Sequence, residues 1–488
     1  MSGVALIRTE YVSEVNPCVT MPMGIYQLTS VLEKQGVEVC AALDLLIVKP
    51  RDIRRELERI VARQPDVIGL SSASHQLRFA HRVADFFKKR LPHVPVVVGG
   101  PFVSANHENA MDCPSVDFGV HGEGEDALPA LVRALAAGED YRSIPRLAYR
   151  EDGGLHLNPS APISYSLDEL PFIAWDRIDF ARYGKFMSMC FQRSPYAAVF
   201  TSRGCPFQCI FCHNHFGRQY RFRSPDRVLE EMHLLYDRDG IRRFEINEDL
   251  FNWDYDRATE ILTRVRDELP AASVGFGSGI RADLLDEPFV KLLAEVNCYF
   301  LAIPVETAVP RLQKLIRKNL DLKKAERAAN LARRYGLHTW AFFLLGFPTE
   351  TEEEMETTVA YAEQLDVDFV SIQSVSPYEG TELRAMLGEL PADLELGNPH
   401  ADYRRGDFSL EHINDLKTLV MRNRLKRRAN WYFVKNLLLW KLWWLGPKNA
   451  LAHLAITVWE SLFHRGVMID RFERNRRRLA REVFSSLD

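Results

Sequence analysis

Short apolar runs alternate with amphipathic stretches along residues 1–140. The runs are as short as buried strands, and the stretches between them have the length and apolar spacing of helices. This alternation predicts an α/β domain with a doubly wound, Rossmann-like parallel sheet covered by helices on both faces. The predicted strands are 4–7, 37–43, 67–71 and 94–100, and the predicted helices are 24–35, 51–63 and 79–91.

The same alternation returns after residue 195 and continues to about residue 390. Turn formers at 157–162 indicate a loop, so we predict that residues 141–195 connect the two α/β units. Residues 391–488 are predicted to form a helical C-terminal domain. In the second unit the predicted strands are 196–201, 243–247, 273–277, 299–304, 338–345 and 369–375.

Composition narrows the class of protein. The chain has 488 residues, of which 47% are hydrophobic, enough for roughly three domains with sizeable cores. A net charge of −4 gives no general case for a nucleic-acid partner. Eight cysteines without regular pairing indicate a reduced, cytoplasmic protein rather than a disulfide framework. We expect neither a signal peptide nor a membrane-spanning helix.

Charge is unevenly distributed, because residues 417–488 hold 16 Lys and Arg against 5 Asp and Glu. One interpretation is a helical domain that packs over the second unit and presents its arginines to solvent. The other is a basic surface that rests on anionic lipid, peripheral to the inner face of a membrane. Five tryptophans of this region would suit that contact: Trp431, Trp440, Trp443, Trp444 and Trp459.

Candidate metal chemistry is concentrated in Cys205, Cys209 and Cys212, which follow the predicted strand 196–201. Thiolates are soft ligands that suit zinc or iron–sulfur clusters. Zinc would need a fourth ligand, for which His213 or His215 is available. Three cysteines without a dedicated fourth ligand suit a [4Fe-4S] cluster with one iron left open to a small molecule.

The spacing Cys-x3-Cys-x2-Phe-Cys after a strand resembles the signature of the radical S-adenosylmethionine (SAM) superfamily. Segments 21–25, 99–101 and 122–125 resemble those of the cobalamin-binding domain in B12-dependent members. The resemblance implies that residues 196–390 form a partial (β/α)6, TIM-like barrel with its chemistry at the carboxyl ends of the strands. It also implies three cofactors, a [4Fe-4S] cluster held by the cysteines, SAM and cobalamin.

Small and polar residues lie where a cobalamin-binding domain formed by residues 1–140 would hold its ligand. Ligands of doubly wound sheets bind beyond the carboxyl ends of the strands, and glycines there let the backbone approach them. Because no histidine precedes His75 and no Asp-x-His-x-x-Gly motif occurs, we expect cobalamin without a protein histidine on cobalt. The predicted cobalamin contacts are Ser71, Ser72, Gly99, Gly100, Pro101, Gly122 and Glu123.

Polar residues that end the predicted barrel strands are assigned to SAM by the same resemblance. Glu248 or Asp249 would meet its amino group, and Arg281 its carboxylate. Glu306 would lie near the ribose, and Gly346 and Pro348 near the adenine. Each polar side chain could instead be a surface cap or ion pair. Glu350 could simply cap the helix that follows it.

The resemblance implies a C-methyltransferase. Its 5′-deoxyadenosyl radical would abstract hydrogen from an unactivated carbon, and a methyl group would then pass from SAM through methylcobalamin to that carbon. A non-methylating cobalamin enzyme, such as an oxidative tetrapyrrole cyclase or a ring-rearranging enzyme, is the alternative. A methylthiotransferase is disfavoured by the missing second cysteine cluster, and a sensor by the intact triad. We expect a small-molecule or lipid-like substrate and an electron donor such as flavodoxin or ferredoxin.

Overall fold

The computed structural model describes residues 3–10, 18–72, 76–163, 165–213, 215–388 and 487. The predicted C-terminal helical domain, its basic Trp-bearing surface and the expected lipid contact therefore lie outside the described residues, apart from Leu487. Across the described ranges, none of the helices combines the length and apolar character needed to cross a membrane.

The first sheet has seven strands in the order β2-β1-β3-β4-β5-β6-β7. Neighbours from β2 to β5 pair in parallel, and β6 and β7 extend the sheet antiparallel. The predicted doubly wound domain is confirmed. The strands are β1 (Val4–Arg8), β2 (Val39–Asp44), β3 (Val67–Ser71), β4 (Val96–Gly99), β5 (Phe118–Val120), β6 (Leu147–Glu151) and β7 (Gly154–Leu157).

Helices cover both faces of this sheet because each parallel strand is apolar on both sides. All five residues of β1 are buried, for example. α6 ends at Gly138, whose φ of +66° closes the helix in the left-handed region. The helices are α1 (Met23–Lys34), α2 (Ile53–Ala62), α3 (Leu77–Arg90), α4 (Pro101–Ala105), α5 (His107–Met111) and α6 (Gly124–Ala137).

Strands β5, β6 and β7 were not predicted. β5 has only three residues, and every residue of β7 is exposed, so neither gives a clear apolar pattern. β6 and β7 lie in the segment predicted to connect the two units, yet they lengthen the first sheet. The rest of that segment carries the short helix α7 (Phe180–Tyr183).

The second unit is a six-stranded, all-parallel sheet in the order β15-β14-β13-β12-β11-β8. Its strands follow one another around the sheet, each neighbour being the next in sequence apart from a short ribbon inserted after β8. This is the predicted partial barrel. The strands are β8 (Ala197–Val199), β11 (Arg243–Ile246), β12 (Ser273–Phe276), β13 (Phe300–Glu306), β14 (Thr339–Leu345) and β15 (Phe369–Ser374).

The inserted ribbon consists of β9 (Ser202–Arg203) and β10 (Arg221–Phe222), which pair antiparallel. Six of the seven barrel helices begin at a Ser, Thr or Asp side chain that accepts a hydrogen bond from a free backbone N–H group. The helix that begins at Pro310 has no such cap. The helices are α8 (Pro225–Asp237), α9 (Tyr255–Glu268), α10 (Glu287–Glu295), α11 (Pro310–Leu315), α12 (Leu322–Arg334), α13 (Glu352–Gln364) and α14 (Glu382–Met386).

One hydrophobic core runs through both units. It includes Leu6 of the first sheet, Trp175 of the connection and Phe244 of the barrel. The two units also touch after β15, because a Cβ on Gly380 would lie 2.9 Å from the Cα of Ala105 in α4. The carboxyl end of β4 therefore lies on the side of the first domain that faces the barrel.

Candidate functional site

The three cysteines lie in a closed loop, residues 204–220, which we call the cysteine loop. β9 and β10 form its neck, with Arg203 opposite Arg221. The Cys205 N–H donates to the carbonyl oxygen of Gly217 at 3.2 Å. Gly204 has a φ of +87°, and a Cβ there would clash with the carbonyl oxygen of Gln219. A glycine is therefore required where the chain enters the loop.

The middle of the cysteine loop is anchored to the barrel. Ile210 is buried, its N–H donates to the carbonyl oxygen of Ile316 at 3.1 Å, and its own carbonyl accepts from the Leu383 N–H at 2.9 Å. The ring of Phe211 packs against that of Phe347, with centroids 5.7 Å apart. The aromatic residue before Cys212 thus fixes the loop against the turn after β14.

None of the three thiols of the loop takes part in a disulfide. Cys205 and Cys209 are half-buried, whereas Cys212 is exposed. Burial raises the pKa of the Cys205 and Cys209 thiols, and the nearby Lys318 and Arg281 partly offset this at Cys209. Metal must therefore displace protons from these thiols as it binds.

Among the residues that the structure describes, no group of three His, Cys, Asp or Glu side chains is arranged to hold one metal ion. A zinc site would need such a group and a fourth ligand, for which His213 and His215 are the candidates. In a [4Fe-4S] cluster each cysteine binds a different iron. His213 and His215 stack on each other, with ring centroids 5.0 Å apart, and His213 also contacts the ring of Tyr378.

The two carboxylates after β11 both support the entry to the cysteine loop. Glu248 is buried and accepts from the backbone N–H groups of Thr201 (2.6 Å) and Ser202 (3.0 Å) and from both hydroxyls. Asp249 accepts from the Gly204 N–H at 3.0 Å. Asp249 retains more capacity for a cationic ligand, because Glu248 has both oxygens engaged. Contact of either residue with SAM stays a prediction.

Arg281 is joined to the cysteine loop rather than isolated. Its guanidinium pairs with Asp283 (Nε to Oδ1, 2.7 Å), and its Nη2 donates to the carbonyl oxygen of Lys318 at 2.8 Å. It also stacks over the ring of Phe207, 3.9 Å from the centroid. The predicted pairing with the SAM carboxylate would have to share this guanidinium with Asp283.

Glu306 forms a buried ion pair that the sequence did not reveal. It sits at a register shift between β13 and β14 with a φ of +70°, and its Oε1 accepts from Lys318 Nζ at 2.8 Å. Both side chains are about one-tenth exposed. Lys318 opposes the rise in the pKa of Cys209 and Glu306 adds to it, so both charges of the ion pair lie within electrostatic reach of the cysteine loop.

The turn after β14 leaves room for a ligand. Gly346 has a φ of +92°, and a Cβ there would meet no atom closer than Val375 Cγ1 at 4.0 Å. The N–H groups of Gly346 and Phe347 both donate to Glu350, at 2.5 and 2.9 Å. Glu350 therefore closes this turn, which also contains Pro348, whereas Thr351 caps α13. The alternative role of Glu350 as the helix cap is wrong.

A buried polar atom at this edge could accept a hydrogen bond from a ligand. Asn247 directly follows β11, and its Oδ1 is buried without a hydrogen-bond partner among the described residues. Such atoms are rare in folded proteins unless a ligand or water satisfies them. The edge that carries Asn247, Glu248 and Asp249 therefore fits a polar ligand beside the cysteines.

The predicted cobalamin residues gather at the carboxyl edge of the first sheet. Ser71 and Gly99 are partners on adjacent strands, and the Ser72 N–H donates to the Gly99 carbonyl at 3.2 Å. Gly100 has a φ of +95°, and a Cβ there would lie 2.9 Å from Ser71 Oγ. Pro101 begins α4 directly after this approach. The crowding explains why glycine occupies position 100.

Gly122 lies at the same edge, and its N–H donates to Ser104 Oγ at 2.8 Å. Glu123 behaves differently, because its carboxylate is buried and accepts from Arg203 and Arg221 at the neck of the cysteine loop. His121 is at this edge, with its Nε2 3.2 Å from the carbonyl oxygen of Asn158. The expectation of cobalt without a histidine ligand stays a prediction.

Comparison with known proteins identifies both units. Residues 199–362 match the radical SAM superfamily model, and residues 15–132 match the B12 binding domain model. An uncharacterized methyltransferase of Pyrococcus horikoshii is 32% identical over 74% of this chain and 77% of that protein. Cytidylyl-2-hydroxyethylphosphonate methyltransferase of Streptomyces wedmorensis is 29% identical over 75% of this chain and 78% of that protein.

Among solved structures, the radical SAM methyltransferase TsrM of Kitasatospora setae superposes with a TM-score of 0.67. It is 21% identical, over 79% of this chain and 75% of that one, so this likeness speaks for the fold. The succession of a B12-binding sheet, a cysteine loop and a partial barrel agrees with the matches in sequence. The chain therefore belongs to the radical SAM superfamily and, with its B12-binding domain, to the cobalamin-dependent enzymes within it.

Proposed function

We propose that this protein is a C-methyltransferase that transfers a methyl group from SAM, by way of cobalamin, to an unactivated carbon of a small-molecule substrate. The observation that carries the proposal is the contact between two edges. The carboxyl edge of the B12-binding sheet meets the barrel at Gly380 and Ala105, and at the neck of the cysteine loop. Chemistry at one edge is thus within reach of the other.

The residues present fit the three cofactors. Cys205, Cys209 and Cys212 would hold the cluster, and the strand ends at Asn247–Asp249 and Gly346 would receive SAM. The edge at Ser71, Gly100 and Gly122 would receive cobalamin. When bound, the cluster with SAM supplies a carbon radical that abstracts hydrogen, and cobalamin supplies the methyl group.

The protein's own residues orient these groups and limit access of water. Glu248 and Asp249 fix the entry to the cysteine loop through backbone N–H groups. The positive charges of Lys318 and Arg281 favour a thiolate at Cys209, whereas Glu306 opposes it. The turn closed by Glu350 keeps Gly346 open to a ligand.

Substrate class and electron supply are the finer parts of the proposal. A reductant such as flavodoxin or ferredoxin is proposed because the cluster must be reduced before each radical is formed. A lipid-like substrate is proposed from the aromatic, basic composition of residues 417–488, which lie outside the described residues apart from Leu487.

The experiment is product analysis with anaerobically reconstituted protein, hydroxocobalamin, dithionite and SAM. We expect both S-adenosylhomocysteine and 5′-deoxyadenosine. Cys209→Ala should lower 5′-deoxyadenosine formation by at least about 100-fold, since one cluster ligand is lost. Cys40→Ala, which removes a thiol from the first domain, is the control and should form both products at the wild-type rate.

The outcomes separate methylation from the alternative chemistry. If 5′-deoxyadenosine forms without S-adenosylhomocysteine, the protein does not methylate and the cyclase or rearrangement alternative replaces this proposal. If Cys209→Ala still forms 5′-deoxyadenosine at the wild-type rate, the cysteine loop does not hold the catalytic cluster.

A further inference from the structure

Two arginines face each other across the neck of the cysteine loop. β9 and β10 pair over only two residues each, and Arg203 is directly opposite Arg221. Like charges at directly opposed positions of an antiparallel pair destabilise it. The ribbon that closes the loop therefore needs negative charge from elsewhere in the molecule.

That charge comes from the B12-binding domain. Glu123 Oε2 accepts from Arg203 Nη1 at 2.5 Å, and its Oε1 accepts from Arg221 Nη2. Glu125, in the first turn of α6, pairs with Arg203 at 2.7 Å. The Tyr165 hydroxyl donates to Glu123 at 3.1 Å. Two acids thus balance two arginines at one buried point.

Because these ion pairs are buried, loss of one partner should be costly. The side chain of Glu123 is 4% exposed, that of Arg203 10% and that of Arg221 14%. Charges removed from water are stable only when they are paired and hydrogen-bonded, and removal of one partner leaves the other uncompensated. Glu123 bridges both arginines, so its loss would leave two adjacent cations with only Glu125 nearby.

The position of the acids links two parts of the site. Glu123 immediately follows Gly122 at the carboxyl edge of the first sheet, and Arg203 is two residues before Cys205. Phe216, within the cysteine loop, lies under the Arg203 guanidinium at 5.1 Å. The same carboxylate is therefore adjacent to the predicted cobalamin edge and to the loop that carries the thiols.

We propose that Glu123 is a positioning residue that closes the neck of the cysteine loop from the B12-binding domain, so that the cluster ligands are ordered only when the two domains are docked. Glu125 and Tyr165 support it. The proposal rests on the proposed function only in taking this loop as the cluster site. It concerns the order of the loop and can be tested on the protein without cofactors.

The test is hydrogen–deuterium exchange of the full chain, followed in peptides from residues 204–220. Glu123→Gln should raise exchange in these peptides by about tenfold or more, since the neck opens locally. The double variant Glu123→Gln with Arg221→Gln should be better protected than Glu123→Gln alone, because removal of one arginine relieves the repulsion. General destabilisation would predict the opposite order.

Arg177→Gln is the matched control. It breaks an ion pair with Glu33 in α1 whose side chains are 37% and 36% exposed, and it should leave exchange in 204–220 unchanged. Unchanged exchange in Glu123→Gln, or lower protection in the double variant than in the single one, would overturn the proposal. If Glu123→Gln fails to fold, Arg203→Lys is compared with wild type instead. Lysine keeps the charge but loses the planar guanidinium, so exchange in 204–220 should lie between that of wild type and the roughly tenfold rise expected for Glu123→Gln.

A second readout uses the reconstituted protein and does not depend on turnover. Release of iron to a chelator should be faster in Glu123→Gln than in wild type and in Arg177→Gln, with the double variant in between. Equal release rates in all four proteins would contradict the proposal. If the wild-type protein keeps its iron and Glu123→Gln shows the expected exchange and iron release, but the wild type forms no S-adenosylhomocysteine, the proposed function fails while this proposal stands.

Discussion

Two glycines of the cysteine loop share a left-handed backbone but differ in what surrounds them. Gly204 has a φ of +87° and faces the carbonyl oxygens of Gln219 and Gly217, whereas Gly217 has a φ of +79° and no neighbour within 4 Å of a Cβ. A side chain at Gly204 would meet both an unfavourable backbone conformation and a steric clash. A side chain at Gly217 would meet only the unfavourable backbone conformation.

Gly204→Ala should therefore abolish cluster loading, and Gly217→Ala should not. At Gly217 the cost is the left-handed backbone alone, about 1 kcal/mol. At Gly204 the added methyl group must also push the neck apart. Iron content per chain after reconstitution measures the difference. Equal iron content in the two variants would show that the neck is looser than this structure indicates.

Glu245 is a buried acid whose surroundings shift its pKa. It is fully buried in β11, and the Tyr299 hydroxyl donates to it at 3.3 Å. Burial raises its pKa to about 7, against hydrogen bonds from Ser188, Tyr299 and Cys190 that lower it. An acid whose folded pKa is raised keeps its proton in the native state where the unfolded chain has already lost it.

The stability of the protein should consequently fall as pH rises from about 4.5 to 7 and then level off, as far as Glu245 is concerned. Glu245→Gln should remove that dependence and raise the free energy of unfolding at pH 7.5 by on the order of 3 kcal/mol. Thermal midpoints between pH 5 and pH 8 provide the measurement. Glu356→Gln, on the exposed side of α13, should parallel the wild type, and a Glu245→Gln curve parallel to both would contradict the shifted pKa.

For single residues, the sequence predicted which ones lie at the ends of the strands. It predicted their contacts less well. Asn247, Asp249, Gly346 and the cysteines all lie at the barrel edge where they were expected. The partners of Glu248 and Glu123 were not predictable, because they come from residues 42 to 98 positions away in the chain. Short-range pattern carries no information on such pairs.

At the scale of secondary structure, apolar periodicity located most parallel strands, since these are buried on both faces. β3 was predicted at 67–71 and is observed at Val67–Ser71. Apolar periodicity did not locate β7, which is exposed throughout, or the two-residue strands β9 and β10. A ribbon of that size is held by its turn and by tertiary contacts, so its sequence shows no alternation.

The ends of β1 and β2 are joined by a buried ion pair that should dominate the stability of this edge. Arg8 Nε and Nη2 donate to the two oxygens of Asp44 at 2.8 and 2.6 Å, and the Tyr183 hydroxyl of α7 donates to Asp44 at 2.5 Å. Arg8 Nη2 also donates to the carbonyl oxygen of Thr20 at 2.7 Å. Two strands, a loop and the connection therefore meet at Asp44.

Asp44→Ala should lower the free energy of unfolding by about 3–5 kcal/mol, because it leaves the buried Arg8 guanidinium without a counter-charge. Urea denaturation followed by far-UV circular dichroism measures this loss. Glu56→Ala, which removes a partner of the exposed Arg59, should cost no more than about 1 kcal/mol. Similar losses in the two variants would mean that water reaches Arg8.

At the scale of the whole molecule, the order of the two units along the chain was predictable but their docking was not. Motifs and alternation gave a B12-binding sheet followed by a radical SAM barrel. The shared core and the contact of Gly380 with Ala105 depend on residues far apart in sequence. Docking places the predicted cobalamin edge beside the neck of the cysteine loop, and this proximity is what a methyl transfer between the two units requires.

The most direct test of the account is metal analysis combined with electron paramagnetic resonance of anaerobically reconstituted, dithionite-reduced protein, before and after addition of SAM. The account predicts about four iron atoms per chain and a reduced-cluster signal that changes when SAM binds the open iron. Stoichiometric zinc in place of iron, or an iron–sulfur signal that SAM leaves unchanged, would contradict it.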